Sequence, residues 1–153
     1  MGIYVGTSSM GGDGLFVDTM FLKSSTVAEY GGFLAPVREA KKDNYNSRYC
    51  HEVHGDWVRD AIGEKTTYLG RFVNDGIRVS TLNAKFVVDE VNLTVSVVAI
   101  KDIAAGEEVL ASYGNDYWYN WYHYRCLSNE HRRLMYNRAS PLVKWWIDQQ
   151  DFN

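Results

Sequence analysis

The chain is short of the residues that several large function classes need. It has two cysteines, Cys50 and Cys126, in 153 residues. A disulfide framework or a zinc cluster needs more, at closer spacing, so both are read as reduced thiols. Its four histidines, His51, His54, His123 and His131, show no metal-ligand spacing, and His51 and His54 are expected at the surface of a hairpin. No apolar run approaches the roughly 20 residues that span a bilayer. No apolar signal core follows Met1. The expectation is a soluble intracellular protein. There is no long basic run and the net charge is −3, which argues against nucleic-acid binding through phosphate contacts and suits a partner with cationic segments. Gly12-Asp13-Gly14 lacks the Lys-Ser/Thr ending of a phosphate loop. Internal repeats, low-complexity segments and linkers are absent.

What is present is a chain that can build one core. Hydrophobic residues make up 46% and aromatics 14%, the latter crowded toward the C-terminus. Strands are expected at Ile3–Val5, Leu15–Val17, Thr26–Tyr30, Ser47–Val53, Trp57–Ile62, Ala84–Asp89, Asn92–Ile100 and Val109–Ser112. Between the first two, Gly6 to Gly14 reads as a flexible loop. His54-Gly55-Asp56 and Asp89–Asn92 read as turns, and so does Asn74-Asp75-Gly76. Ala35 to Lys42 reads as a short helical turn or a basic loop. Many short strands with frequent turns make an all-β body. The tail differs: Ser128 can cap a helix through Tyr136, and Ser140-Pro141 opens one through Gln149.

Several separated pieces then fall into one order: Gly12-Asp13-Gly14-Leu15-Phe16, Glu29-Tyr30-x-Gly, Arg48-Tyr49, Asp60-Ala61, Arg71-Phe72-x-Asn74, Gly106-Glu107-Glu108 leading to Tyr113-Gly114, and Tyr117-Trp118. Together they resemble the SET domain of protein-lysine methyltransferases, over about Gly11 to Trp118. The resemblance implies a mainly β fold of small curved sheets with a threaded C-terminal segment, in which Gly70–Gly76 and Tyr113–Trp118 are neighbours. Residues 1–118 would be the catalytic domain. Residues 119–153 would be an aromatic-rich helical extension.

The resemblance also implies S-adenosylmethionine as methyl donor and a lysine-containing protein, a histone tail or another basic segment, as substrate. Nuclear residence would follow from a histone substrate. By resemblance, Gly12, Asp13 and Gly14 offer backbone contacts to the donor's amino-acid end, Arg48, Tyr49 and Arg71 lie near the donor, Asn74 hydrogen-bonds it, and the main chain at Asp75 reads the adenine. Tyr117 or Trp118 covers the adenine face. Tyr113 stands at the methyl-transfer point, with Tyr30 and Tyr49 as further catalytic or channel-wall tyrosines (Tyr45 is a neighbouring alternative to Tyr49). Ala111, Trp121 and Tyr122 are assigned to the substrate channel.

The chemistry explains the tyrosines. A lysine with a pKa of about 10.4 must lose its proton to attack a methyl sulfonium, which costs about 4 to 5 kcal/mol near pH 7. A dry aromatic channel beside a cation lowers that cost by desolvation and like-charge repulsion. A tyrosine hydroxyl can orient the amine, and alignment supplies much of the rest.

Three departures stand out. The family usually continues Asn-His-Ser/Cys where this chain has Asn74-Asp75-Gly76. No cysteine-rich segment flanks the domain. Ala111, two before Tyr113, replaces the common Phe or Tyr and leaves the number of methyls open. An inactive relative that only holds a lysine peptide or the donor is the alternative function. A dimer that completes the peptide groove stays open.

Overall fold

The computed structural model describes residues 2–36, 50–63, 67–76, 78–113, 141, 144, 145 and 148. The chain forms two compact units, Met1–Ser112 and Tyr113–Asn153. In the second, Pro141, Lys144, Trp145 and Asp148 are helical, as the Ser140-Pro141 start predicts. Trp145 is exposed there. The helix expected over Ser128–Tyr136 lies outside the described residues. No helix among the described residues is long and apolar enough to cross a membrane.

The first unit is mainly β, in four small sheets. β1 (Ile3–Thr7) and β2 (Asp13–Val17) form an antiparallel hairpin. β3 (Thr26–Tyr30), β8 (Ala84–Asp89) and β9 (Thr94–Ala99) form a sheet in the order β3-β9-β8. β4 (Phe33–Pro36), β5 (Cys50–His54) and β6 (Trp57–Asp60) form a second, in the order β4-β6-β5. The last sheet pairs β7 (Asn74–Asp75) in parallel with β10 (Leu110–Ala111).

Alternation drives these choices. In β9, Val95, Val97 and Ala99 are buried while the residues between them are half-buried. Leu15, Val17, Val97, Ile103 and Val109 are fully buried in one cluster. Each such side chain contributes about 1.5 to 3 kcal/mol. A smaller cluster holds Tyr30, Val53, Ala61 and Val95. The turn after β8 forms as expected, with Asp89 Oδ1 accepting from the backbone N–H of Val91 and of Asn92 at 3.0 Å each. The Asn92 backbone N–H, then its side-chain amide, holds the Asp89 carboxyl below its ordinary pKa.

Four expectations are corrected. Gly6–Gly14 is not one loop: β1 runs to Thr7, β2 starts at Asp13, and the turn is confined between them. Ala35 and Pro36 belong to β4. The strand expected to run to Ile62 ends at Asp60, whose Oδ1 accepts from the Ile62 N–H at 3.0 Å and turns the chain away. Asn74-Asp75 is a strand rather than a turn, because Leu110–Ala111 offers it a ladder.

Candidate functional site

The glycine turn is built from local bonds. The Ser8 N–H donates to Gly12 O at 2.9 Å and the Gly11 N–H to Ser8 O at 3.2 Å. The Met10 N–H donates to Ser8 Oγ at 2.9 Å. Gly11 and Gly12 take φ of +102° and +68°, where a side chain is strained. A Cβ at either would meet no atom within 4 Å, so open space faces the turn. Gly14 is different. A Cβ there would fall onto the carboxyl of Glu108 and come within 3.0 Å of Ser8 Cβ.

That carboxyl joins three segments. Glu108 Oε1 accepts from Ser8 Oγ at 2.6 Å and from Asn74 Nδ2 at 3.1 Å. Asn74 Nδ2 also donates to Asp13 O at 2.9 Å. Both partners of Nδ2 are acceptors, which fixes the orientation of the amide. Both amide hydrogens are thereby used, and Oδ1 is the polar atom of the side chain that remains for a ligand. Asp75 is buried and pairs with Ala111, so its main chain is held in the β7–β10 ladder.

β10 is positioned from both sides. Phe16 and Glu108 form an antiparallel bridge, and the Val109 N–H donates to Leu15 O at 2.7 Å. On the other side Asn83, itself buried, donates from Nδ2 to Glu108 O at 2.7 Å and accepts at Oδ1 from the Leu110 N–H at 2.8 Å. Val109 and Ala111 are fully buried. Two residues beyond Ala111 comes Tyr113, the first residue of the second unit.

Tyr30 sits in the smaller core cluster, 8% exposed. Its ring meets Phe86 edge-on at 6.1 Å and His51 at 5.9 Å. The backbone there is tight, since a Cβ on Gly70 would lie 2.7 Å from Glu29 O. His51, expected at the surface, is half-buried against these rings, 5.0 Å from that of Phe86. Burial lowers its pKa, opposed by the Glu52 carbonyl and carboxyl. The 2.9 Å contact of Nδ1 with that carbonyl places a hydrogen on Nδ1.

Arg71 is committed to the chain itself. Its guanidinium donates to Ala61 O at 2.9 Å and Ile62 O at 2.6 Å, and lies 4.8 Å from the centre of the Phe72 ring. It clips the 3-10 turn Gly70–Phe72 to the end of β6. Gly12, Asp13, Gly14, Asn74 and Asp75 are thus gathered with Ala111 around the β7–β10 ladder. Tyr30 lies at the end of β3 and Arg71 in the 3-10 turn before β7. Arg48, Tyr49, Tyr117, Trp118, Trp121 and Tyr122 lie outside the described residues, and with them the threading of the C-terminal segment.

Sequence reasoning missed the roles of Ser8, Asn83 and Glu108. Glu108 enters the sequence reading only within the piece Gly106-Glu107-Glu108, with no role of its own. A charged residue directly before the apolar run Val109–Ala111 was the available signal. Ser8 and Asn83 carry none, because Glu108 and Leu110, which they hold, are distant in the chain.

The SET-domain profile matches residues 12–114, more than half of the chain. No curated protein matches it. The matched span runs from the glycine turn, through Asn74 and the Glu108 carboxyl, to the residue after Tyr113, and the chain belongs to the SET-domain family, a family of methyltransferase type.

Proposed function

We propose that the protein is an S-adenosylmethionine-dependent protein-lysine N-methyltransferase acting on a histone tail or another basic segment. One observation carries the reading. The glycine turn, Asn74 and Glu108 are joined in a single hydrogen-bonded network beside the strand that leads to Tyr113. The residues present fit the donor. Its amino-acid end carries an ammonium and a carboxylate. The Asn74 Oδ1 and main-chain carbonyls suit the first, and the Gly12 N–H, outside the bonds that close the turn, suits the second. The main chain at Asp75 would read the adenine, so the departure from histidine there does not remove that contact.

When bound, S-adenosylmethionine supplies a methyl group on a cationic sulfonium. The chain's own work is to present a neutral amine to it. The Tyr113 hydroxyl orients the lysine nitrogen, with its lone pair toward the donor side. Tyr30 and Tyr49 wall the channel and exclude water, which disfavours the charged ammonium. Ala111, two residues before Tyr113, belongs to the substrate channel in this reading. The aromatic run Tyr117–Tyr124, with Trp121 and Tyr122, closes the channel in place of a zinc-bound segment. Residence in the nucleus accompanies a histone substrate.

The test is incubation of the protein and labelled donor with a panel of histones and with cell extract. Labelled lysine in the wild type and its loss in Tyr113→Phe are expected. Donor binding without labelling of any protein would instead identify a binding module.

A further inference from the structure

Ser8 precedes the span matched by the family profile and has no role in the reading above. It is nevertheless buried, and its hydroxyl is doubly used. Oγ accepts from the Met10 N–H at 2.9 Å and donates to Glu108 Oε1 at 2.6 Å. The same Oε1 receives Asn74 Nδ2 at 3.1 Å, and Nδ2 in turn reaches Asp13 O at 2.9 Å. The chain of bonds therefore starts in the glycine turn, crosses to the segment leading into β10, passes to β7 and returns to the turn. Gly14 is required by this arrangement, since a side chain there would occupy the space of the Glu108 carboxyl.

We infer that Ser8 is a positioning residue for the donor site, acting through Glu108 to fix the amide of Asn74 and the height of the glycine turn. The inference rests on the proposed donor site. Without the Ser8 hydroxyl, the Met10 N–H loses its side-chain acceptor and Glu108 loses one of the two donors on Oε1. The carboxyl is then free to rotate, and the Asn74 amide is held firmly only by Asp13 O. In the proposed site the loop meets the donor's amino-acid end and not its methyl group, so the effect falls on binding and leaves the chemical step.

A second substitution separates positioning from direct contact. Ser8 and Asn74 both donate to the same oxygen of Glu108. Glu108→Gln keeps that oxygen as an acceptor and removes the charge. If Glu108 only positions, the glutamine serves. If it touches the donor's ammonium, it does not.

The experiment is titration calorimetry of S-adenosylmethionine into the full chain, with hydrogen exchange of the Met10 and Gly11 amides measured without donor. Ser8→Ala is expected to weaken donor binding about five- to tenfold, which is one lost hydrogen bond, and to speed exchange at Met10. Under saturating donor, kcat is expected to stay within about twofold, a KM-against-kcat split that a general loss of structure would not give. Glu108→Gln is expected to bind within about threefold of wild type. If Ser8→Ala does not fold, Ser8→Cys fills the position with a somewhat larger group and a poorer donor, and the same weakening is expected in smaller measure. Wild type that binds the donor, with Ser8 variants that bind it equally well, overturns the inference alone. Strong loss in Glu108→Gln, with Ser8→Ala unaffected, overturns it too. Wild type that binds no donor overturns the proposed function first, and the inference with it.

Discussion

Asn74 and His51 show how much depends on single polar atoms. The two amide hydrogens of Asn74 hold Asp13 O and Glu108 Oε1. Asn74→Ala removes both bonds and the Oδ1 acceptor. A loss of about 1 to 3 kcal/mol in donor binding is expected by calorimetry. Asn74→Asp should be worse than Ala, since it sets a carboxylate against a carbonyl and a carboxyl oxygen. His51 carries a pH dependence. Its folded pKa lies below its ordinary 6.5, mainly because burial disfavours the charged ring. Between those values the unfolded chain binds more protons, so stability rises with pH there. The contribution is complete above pH 6.5 and lost as pH falls toward the lowered folded value. Glu52 beside it opposes the shift but does not reverse it. Urea midpoints of wild type are expected to drop relative to those of His51→Phe between pH 7.5 and about 5, and parallel pH curves would contradict this. Periodicity could place His51 on a strand. It could not show that Tyr30 and Phe86, from another sheet, cover that face.

At the scale of elements, the two-residue ladder of β7 with β10 organises the site. So short a pairing cannot stand on its own hydrogen bonds. Asn83 supports it by holding Glu108 O and the Leu110 N–H. Asn83→Ala leaves both groups without that partner in a buried place, so about 2 to 3 kcal/mol of stability should be lost, with donor affinity falling in parallel. Denaturant unfolding and calorimetry check the two effects together. The strands that alternate clearly, β8 and β9, were legible with near-correct bounds, because one covered face imposes a period of two. Asn74-Asp75-Gly76 was not. Its local composition encodes a turn, and a partner strand distant in the chain overrides it. The glycine turn was overextended for a related reason: Gly6 and Gly14 lack side chains to show alternation, yet they pair with each other in the hairpin.

For the whole molecule, the order of the motifs made the family legible, although each piece alone is common. The network beneath the motifs was not legible, since Ser8 and Asn83 act through partners that only folding brings near. The proposed role of the C-terminal aromatic run has its own test. A chain ending at Asn120 is expected to keep cooperative unfolding and to lose methyl transfer. Transfer and donor binding that survive in the folded shortened protein would remove the run from the channel. The most direct measurement of the central claim is labelled methyl transfer from S-adenosylmethionine to histones and extract proteins by wild type and Tyr113→Phe. Label on lysine in the wild type, absent in a folded Tyr113→Phe that still binds donor, is the expected result. No labelled protein with the wild type, or equal labelling by both, would contradict it.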